Sequence, residues 1–124
     1  MNLRKLVLAS ALLVAPVAAS AMTVAEFLAR ANALKAKGMM AMMSSDLPVV
    51  RGEMQAATTA YRTEVDAARA KGRTDLGCPP PKGQAKLSSD IIMADLAAIP
   101  KPVQARTTVK AALYDVMRKR YPCK

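Results

Sequence analysis

The feature that most constrains the fold is an apolar stripe that recurs every three or four residues through the middle of the chain. Residues at this spacing lie on one face of an α-helix, which completes a turn about every 3.6 residues. The stripe consists of Leu47, Val50, Met54, Ala57, Tyr61, Val65 and Ala68. Gly72 follows it and favours a helix end. The pattern predicts one long helix over about residues 47–71, with one face in a core.

A second helical pattern precedes this stripe. Thr23 and Glu26 have the spacing of a capping box, in which each side chain accepts a hydrogen bond from the other residue's backbone. Apolar residues then follow at helical spacing: Val24, Phe27, Leu28, Ala31 and Leu34. Gly38 suits the position just past a helix end. We therefore expect a helix over about residues 23–37.

Two further helices are expected after a loop. Glycines and three prolines exclude regular structure from residues 73–87. Ser88 is the expected cap of a third helix, which Pro100 ends. Pro102 suits the first position of a fourth helix, which we expect to continue to about Arg120. The sequence thus predicts an all-α protein, a small bundle of about four helices.

The composition argues against an enzyme. The 124 residues include no histidine, which excludes Ser-His-Asp and Cys-His catalysis and every zinc site that needs imidazole. The carboxylates form no recognisable catalytic pair. We therefore expect a protein without catalytic activity and without a cofactor.

The N-terminal residues are typical of a secretory signal peptide. Arg4 and Lys5 precede an apolar run over residues 6–17, and Ala19-Ser20-Ala21 supplies the small residues of a cleavage site. A membrane anchor is the alternative, but the run is short and no basic stop follows it. We expect cleavage after Ala21, one helical domain over residues 22–124, a periplasmic location and no stable membrane anchor.

The two cysteines are Cys78 and Cys123. An oxidising compartment allows them to form one disulfide, whose loop would stabilise the fold by roughly 4 kcal/mol in the chain-entropy model. Two free redox thiols are the alternative. They lack the Cys-x-x-C spacing that is typical of redox sites.

A cluster of four methionines is the most unusual local feature: Met39, Met40, Met42 and Met43. Flexible methionines can fill a gap between helices or line a partner-binding surface. Thioether sulfur is also a soft ligand for Cu(I), and in an α-helix Met39, Met42 and Met43 would share a face. We favour packing or partner contact, and we expect the loop over residues 73–86 to be a second candidate contact surface.

The chain is basic, with 19 Lys and Arg against 9 Asp and Glu and a formal net charge of +10. Loss of Arg4 and Lys5 with the signal peptide would leave 17 against 9, a net charge of +8. The densest run is Arg118-Lys119-Arg120. Secretion and the lack of interleaved aromatic residues argue against nucleic acid. Such a run can offset a helix dipole and maintain solubility, or attract an anionic polymer of the cell envelope.

The C-terminal half resembles the Rap/Tai immunity proteins, small periplasmic proteins that protect bacteria from amidase effectors of type VI secretion. The resemblance covers about residues 78–123. It rests on Cys78-Pro79-Pro80, Leu87, Ile91, Leu96, Pro100, Val109, Ala112-Leu113 and Arg120-Tyr121-Pro122-Cys123. It implies a helical, disulfide-bonded protein, often a homodimer, that covers the active site of a secreted peptidoglycan amidase. The competing interpretations are a basic, envelope-associated structural protein and a methionine-rich copper-binding module.

Overall fold

The computed structural model describes residues 21–124, and within this range the regular elements are helices. The elements are α1 (Val24–Lys37), a 3₁₀-helix (Gly38–Met43), α2 (Asp46–Ala70), α3 (Ser89–Ala97), α4 (Lys101–Gln104) and α5 (Val109–Arg120). The predicted all-α class is confirmed. The expected signal peptide, apart from its last residue, lies outside the described residues.

The core forms where α2 packs against α1 and α5, and where α3 packs against α1 and α5. The second half of the long apolar stripe, from Ala57 to Ala68, is buried there as its spacing predicts, whereas Leu47, Val50 and Met54 are half-buried. The rings of Tyr61 on α2 and Tyr114 on α5 meet edge to face, with their centroids 5.2 Å apart. The buried core cluster consists of Val24, Phe27, Leu28, Ala57, Tyr61, Val65, Leu96, Val109, Ala112, Leu113, Tyr114 and Met117.

Both ends of α1 follow the sequence signals. The Thr23 hydroxyl accepts a hydrogen bond from the Glu26 amide at 3.2 Å, and the Glu26 carboxylate accepts one from the Thr23 amide at 3.2 Å. Gly38 follows the last helical residue with a φ of 56°, a backbone conformation that favours glycine. The same logic holds at α3, where the Ser88 hydroxyl accepts from the Ile91 amide at 3.3 Å.

The predicted fourth helix is wrong as a single element. The chain leaves helical geometry after Gln104, and α5 begins only at Val109. Thr108 is extended and caps α5, since its hydroxyl accepts from the Ala111 amide at 3.1 Å. The residues at this break also pair with the start of the chain: Val24 donates to the Thr107 carbonyl at 2.9 Å, and Val109 to the Met22 carbonyl at 3.0 Å. This tertiary pairing stabilises the break.

Cys78 and Cys123 form the predicted disulfide, with their Cα atoms 5.0 Å apart, so they are not free thiols. The backbone on either side supports the bond, because the Cys78 amide donates to the Tyr121 carbonyl at 2.7 Å. Gly77 allows this approach. Its φ is 92°, and a Cβ there would lie 3.1 Å from the Tyr121 carbonyl oxygen.

Over residues 21–124, none of the helices is both long enough and apolar enough to cross a membrane.

Candidate partner-binding surface

The four clustered methionines lie on the 3₁₀-helix that connects α1 to α2. We call Met39, Met40, Met42 and Met43 the methionine knob. Their side chains are 89%, 65%, 73% and 83% exposed, respectively. Within the described range, Val49 is the one other large apolar residue that is exposed, and its exposure is lower, at 41%. The knob therefore concentrates most of the exposed large apolar side chains of the described residues in one short segment.

The 3₁₀ geometry distributes the methionines over two faces. Because this helix has about three residues per turn, residues three apart are eclipsed. Met39 and Met42 therefore share one face, and Met40 and Met43 share the next. Ala41 is half-buried and belongs to the third. Apolar side chains thus cover about two thirds of the circumference of this short helix.

This arrangement changes two of the sequence-based interpretations. Packing between helices is wrong, since none of the four side chains is buried. The expectation that Met39, Met42 and Met43 share a face is also wrong, because it assumed about 3.6 residues per turn. In the 3₁₀-helix, Met43 pairs with Met40 instead. A partner-binding surface is the interpretation that the exposure favours.

The residues that flank the knob are held in place by hydrogen bonds and an ion pair, although the methionine side chains themselves are exposed. The Ser44 hydroxyl accepts hydrogen bonds from the Lys37 ammonium at 3.1 Å and from the Asp46 amide at 3.3 Å. Arg30 on α1 pairs with the Asp46 carboxylate at 2.8 Å. The two flanking helices are therefore connected directly beneath the knob.

An apolar groove of about 410 Å³ opens beside the first half of α2. Val50 and Met54 of α2 form one wall, Ile92 and Met93 of α3 form the other, and Phe27 of α1 contributes to the lining. Arg51 is the charged residue of the lining. The groove and the knob both adjoin the N-terminal part of α2.

The first part of the loop over residues 73–86 is tied to the helices. Tyr61 donates to the Leu76 carbonyl at 2.8 Å, and Arg62 donates to the Pro80 carbonyl at 3.1 Å. Arg69 donates to the Pro79 carbonyl. After Pro81 the loop is more open, with Lys82 and Lys86 exposed. This second part could meet a partner without breaking the hydrogen bonds that hold the first part to α2.

The basic run at the end of α5 is largely engaged within the molecule. Arg120 binds Asp95 of α3 through two hydrogen bonds, at 2.6 and 2.9 Å. These bonds hold the pKa of Asp95 below its usual value of 3.8. Arg118 pairs with Asp115 one turn earlier on the same helix. Two of the three cations in the run therefore already have anionic partners.

The sequence predicted the disulfide between the two cysteines, and it drew attention to the methionines as a candidate surface, but Arg62 and Arg69 were missed. These arginines hold the Pro79-Pro80 segment against α2. They lie seven residues apart, which places them on the same face of a helix. This spacing beside a proline-rich loop is the signal that could have indicated their role.

Comparison of the chain with protein-family models, with curated proteins and with solved structures gave no match.

Proposed function

We propose that this protein is a binding protein of the Rap/Tai immunity type, which inserts its methionine knob into the cleft of a secreted peptidoglycan amidase. The observation that carries the proposal is the exposure of all four knob side chains on a disulfide-bonded helical framework. The amidase as partner comes from the resemblance of residues 78–123. The disulfide is compatible with the oxidising periplasm in which such an enzyme would be met.

The shape of the knob favours a concave partner. A flat protein surface can cover only one side of a short helix, whereas these methionines occupy two of its three faces. A cleft encloses both. Enzyme active sites are concave and lined largely by apolar groups, so a knob of this shape suits occlusion of such a site.

Methionine suits this contact energetically. Full burial of one methionine contributes about 1.5–3 kcal/mol, so four contribute at most roughly 6–12 kcal/mol before the cost of association. The cost of association is of similar size, so polar contacts around the knob must supply additional favourable binding free energy. Arg51, near the start of α2, is a candidate source.

The test compares two quadruple variants. In one, all four knob residues are changed to glutamine, which is similar in length but polar. In the other they are changed to leucine, which is apolar but lacks sulfur. Each protein, purified in its disulfide form, is immobilised and exposed at high salt to periplasmic and secreted extracts of the source organism and its close competitors. Amidases that are retained are then purified and assayed for inhibition.

We expect the native protein and the leucine variant to retain and inhibit a peptidoglycan amidase. The glutamine variant should bind it at least about a hundredfold more weakly, which corresponds to about 2.7 kcal/mol. Glutamine at the exposed Ala33 and Ala36 of α1 is the matched control and should change little. Equal inhibition by the glutamine variant would exclude the knob as the contact. Loss of binding in the leucine variant alone would indicate a sulfur-dependent role such as Cu(I) binding.

The excess positive charge supports a second candidate, association with an anionic polymer of the cell envelope. Lys82 and Lys86 are exposed on the open part of the loop, and attraction of this kind weakens steeply with salt. Binding to a purified anionic wall polymer that disappears between about 50 and 500 mM salt would favour this function. Binding that survives high salt and depends on the knob would favour the first.

A further inference from the structure

The exposed apolar surface of this protein is unusual in its chemistry as well as its size. In the 3₁₀-helix Gly38–Met43, every side chain larger than that of alanine is a methionine, and none is leucine, isoleucine or phenylalanine. The other described methionines differ in exposure: Met22, Met54 and Met93 are half-buried, and Met117 is only 6% exposed in the core. The chain thus carries a set of accessible thioethers and an internal reference set.

An accessible thioether reacts with two-electron oxidants. The sulfur lone pair attacks one oxygen of hydrogen peroxide, the O–O bond breaks, and a sulfoxide and water result. Sulfur loses two electrons and peroxide gains them. Methionine sulfoxide is polar, so the reaction converts an apolar contact group into one that prefers water.

The position of the knob separates this change from folding. The knob methionines are not part of the buried core. Their helix is held in place by the hydrogen bonds of Ser44 and by the Arg30–Asp46 ion pair. Sulfoxides at these positions therefore leave the bundle intact. A sulfoxide at Met117, in contrast, would place a polar group between α5 and its neighbours.

We propose that the methionine knob is a reversible oxidation site, at which hydrogen peroxide switches off the contact surface without unfolding the protein. The sulfoxide reaction depends only on exposure. Its effect on a partner rests on the proposed function. A sulfoxide reductase that draws two electrons from a dithiol restores the thioether, with a disulfide and water as products.

The chain offers a direct measurement of selectivity. Cleavage after Lys and Arg releases residues 38–51, which contain all four knob methionines, and residues 111–118, which contain Met117 as their one methionine. The full-length protein, with its disulfide intact, is treated with graded hydrogen peroxide and digested. Mass spectrometry then counts the oxygens that each peptide gains.

We expect the 38–51 peptide to gain up to four oxygens at least about tenfold faster than the 111–118 peptide gains one, with an unchanged thermal melting curve. Retention on a phenyl matrix should fall after oxidation, and the leucine variant should show no such loss. Equal oxidation of the two peptides, a lowered melting temperature, or unchanged retention would each overturn the inference.

A final measurement distinguishes failure of this inference from failure of the proposed function. The oxidised protein should bind the amidase at least tenfold more weakly, reductase treatment should restore binding, and the leucine variant should be insensitive to peroxide. If the native protein binds amidase and the oxidised protein binds it equally well, the switch is wrong. If the native protein binds no amidase while the peptide and phenyl-matrix results hold, the proposed function fails and the oxidation site stands.

Discussion

Tyr61 shows how one side chain can serve both the core and the loop. Its ring lies in the core against Tyr114, and its hydroxyl donates to the Leu76 carbonyl at 2.8 Å. Burial raises its pKa, the nearby arginines acting in the opposite direction. The phenol therefore stays protonated and able to donate at any physiological pH.

Replacing Tyr61 with phenylalanine should lower the free energy of unfolding by about 1–2 kcal/mol, because the Leu76 carbonyl loses its partner while the ring contact remains. Urea denaturation monitored by circular dichroism measures the change. Tyr121→Phe is the matched control, since its hydroxyl makes none of the hydrogen bonds described above, and it should change stability less. Equal effects of the two substitutions would show that the Tyr61 hydrogen bond contributes no more to the free energy of unfolding than the Tyr121 hydroxyl does.

The role of Tyr61 was only half predictable from sequence. Its place in the apolar stripe predicts burial, and burial is what the structure shows. Its bond to Leu76 depends on a loop whose path is set by prolines, by a disulfide and by two arginines. No local pattern contains that information, because the residues that these hydrogen bonds join lie 10 or more positions apart in the sequence.

At the scale of elements, local signals predicted helix ends better than helix continuity. The caps at Thr23 and Ser88 involve atoms within three residues of each other, so their spacing in the sequence predicts them. The break between α4 and α5 depends instead on pairing with residues 22–24. Thr108 is a suitable cap, but the helical pattern of the sequence continues around it. Only the tertiary contact with residues 22–24 decides between a continuous helix and a break.

The knob illustrates the same limit. Its four methionines stand out in the sequence, yet whether they face inward or outward depends on how α1 and α2 pack on either side. The type of helix on which the methionines lie also decides which of them are neighbours. A change from about 3.6 to about 3 residues per turn regroups which sulfurs are neighbours.

The ion pair between Asp95 and Arg120 connects α3 to α5 and should make stability depend on pH. Hydrogen bonds from Arg120 lower the pKa of Asp95 in the folded state below its usual 3.8. The folded state therefore binds the proton less readily than the unfolded state. The contribution of the pair is complete above the unfolded pKa and is lost as pH falls through the folded pKa.

Urea midpoints measured from pH 6 down to about pH 2 should therefore decline at the acid end of the range. Asp95→Asn should lower the midpoint at pH 6 and flatten its decline below about pH 4. Asp66→Asn on the exposed side of α2 is the control and should leave the slope close to that of the native protein. A native slope in the Asp95 variant would show that other carboxylates account for the acid sensitivity.

At the scale of the whole molecule, the disulfide closes a loop of 45 positions that includes α3, α4 and α5. A bundle of about 100 residues has a limited core, so this constraint on the unfolded chain should matter. We expect the Cys78→Ser/Cys123→Ser variant to lose about 2–4 kcal/mol of stability. Calorimetry measures the change.

Reductant should lower the melting temperature of the native protein toward that of the double serine variant, and it should not affect the variant itself. The native protein should also weigh two hydrogens less than its reduced form. If reductant leaves the native melting curve in place, the packing of the helices alone accounts for the stability.

The position of the knob relative to this covalent loop has a mechanical consequence. Residues 22–77 lie outside the loop, and the knob lies among them. If the chain is pulled from residue 22, the disulfide-bonded protein can extend by at most about 200 Å before the tension reaches Cys78, since an extended residue spans about 3.5 Å. If a partner binds the knob as proposed, a pull on it would load the non-covalent contacts that α1 and α2 make with the rest of the bundle. The strength of those contacts, and not of the sulfur–sulfur bond, would set the force that the knob can bear.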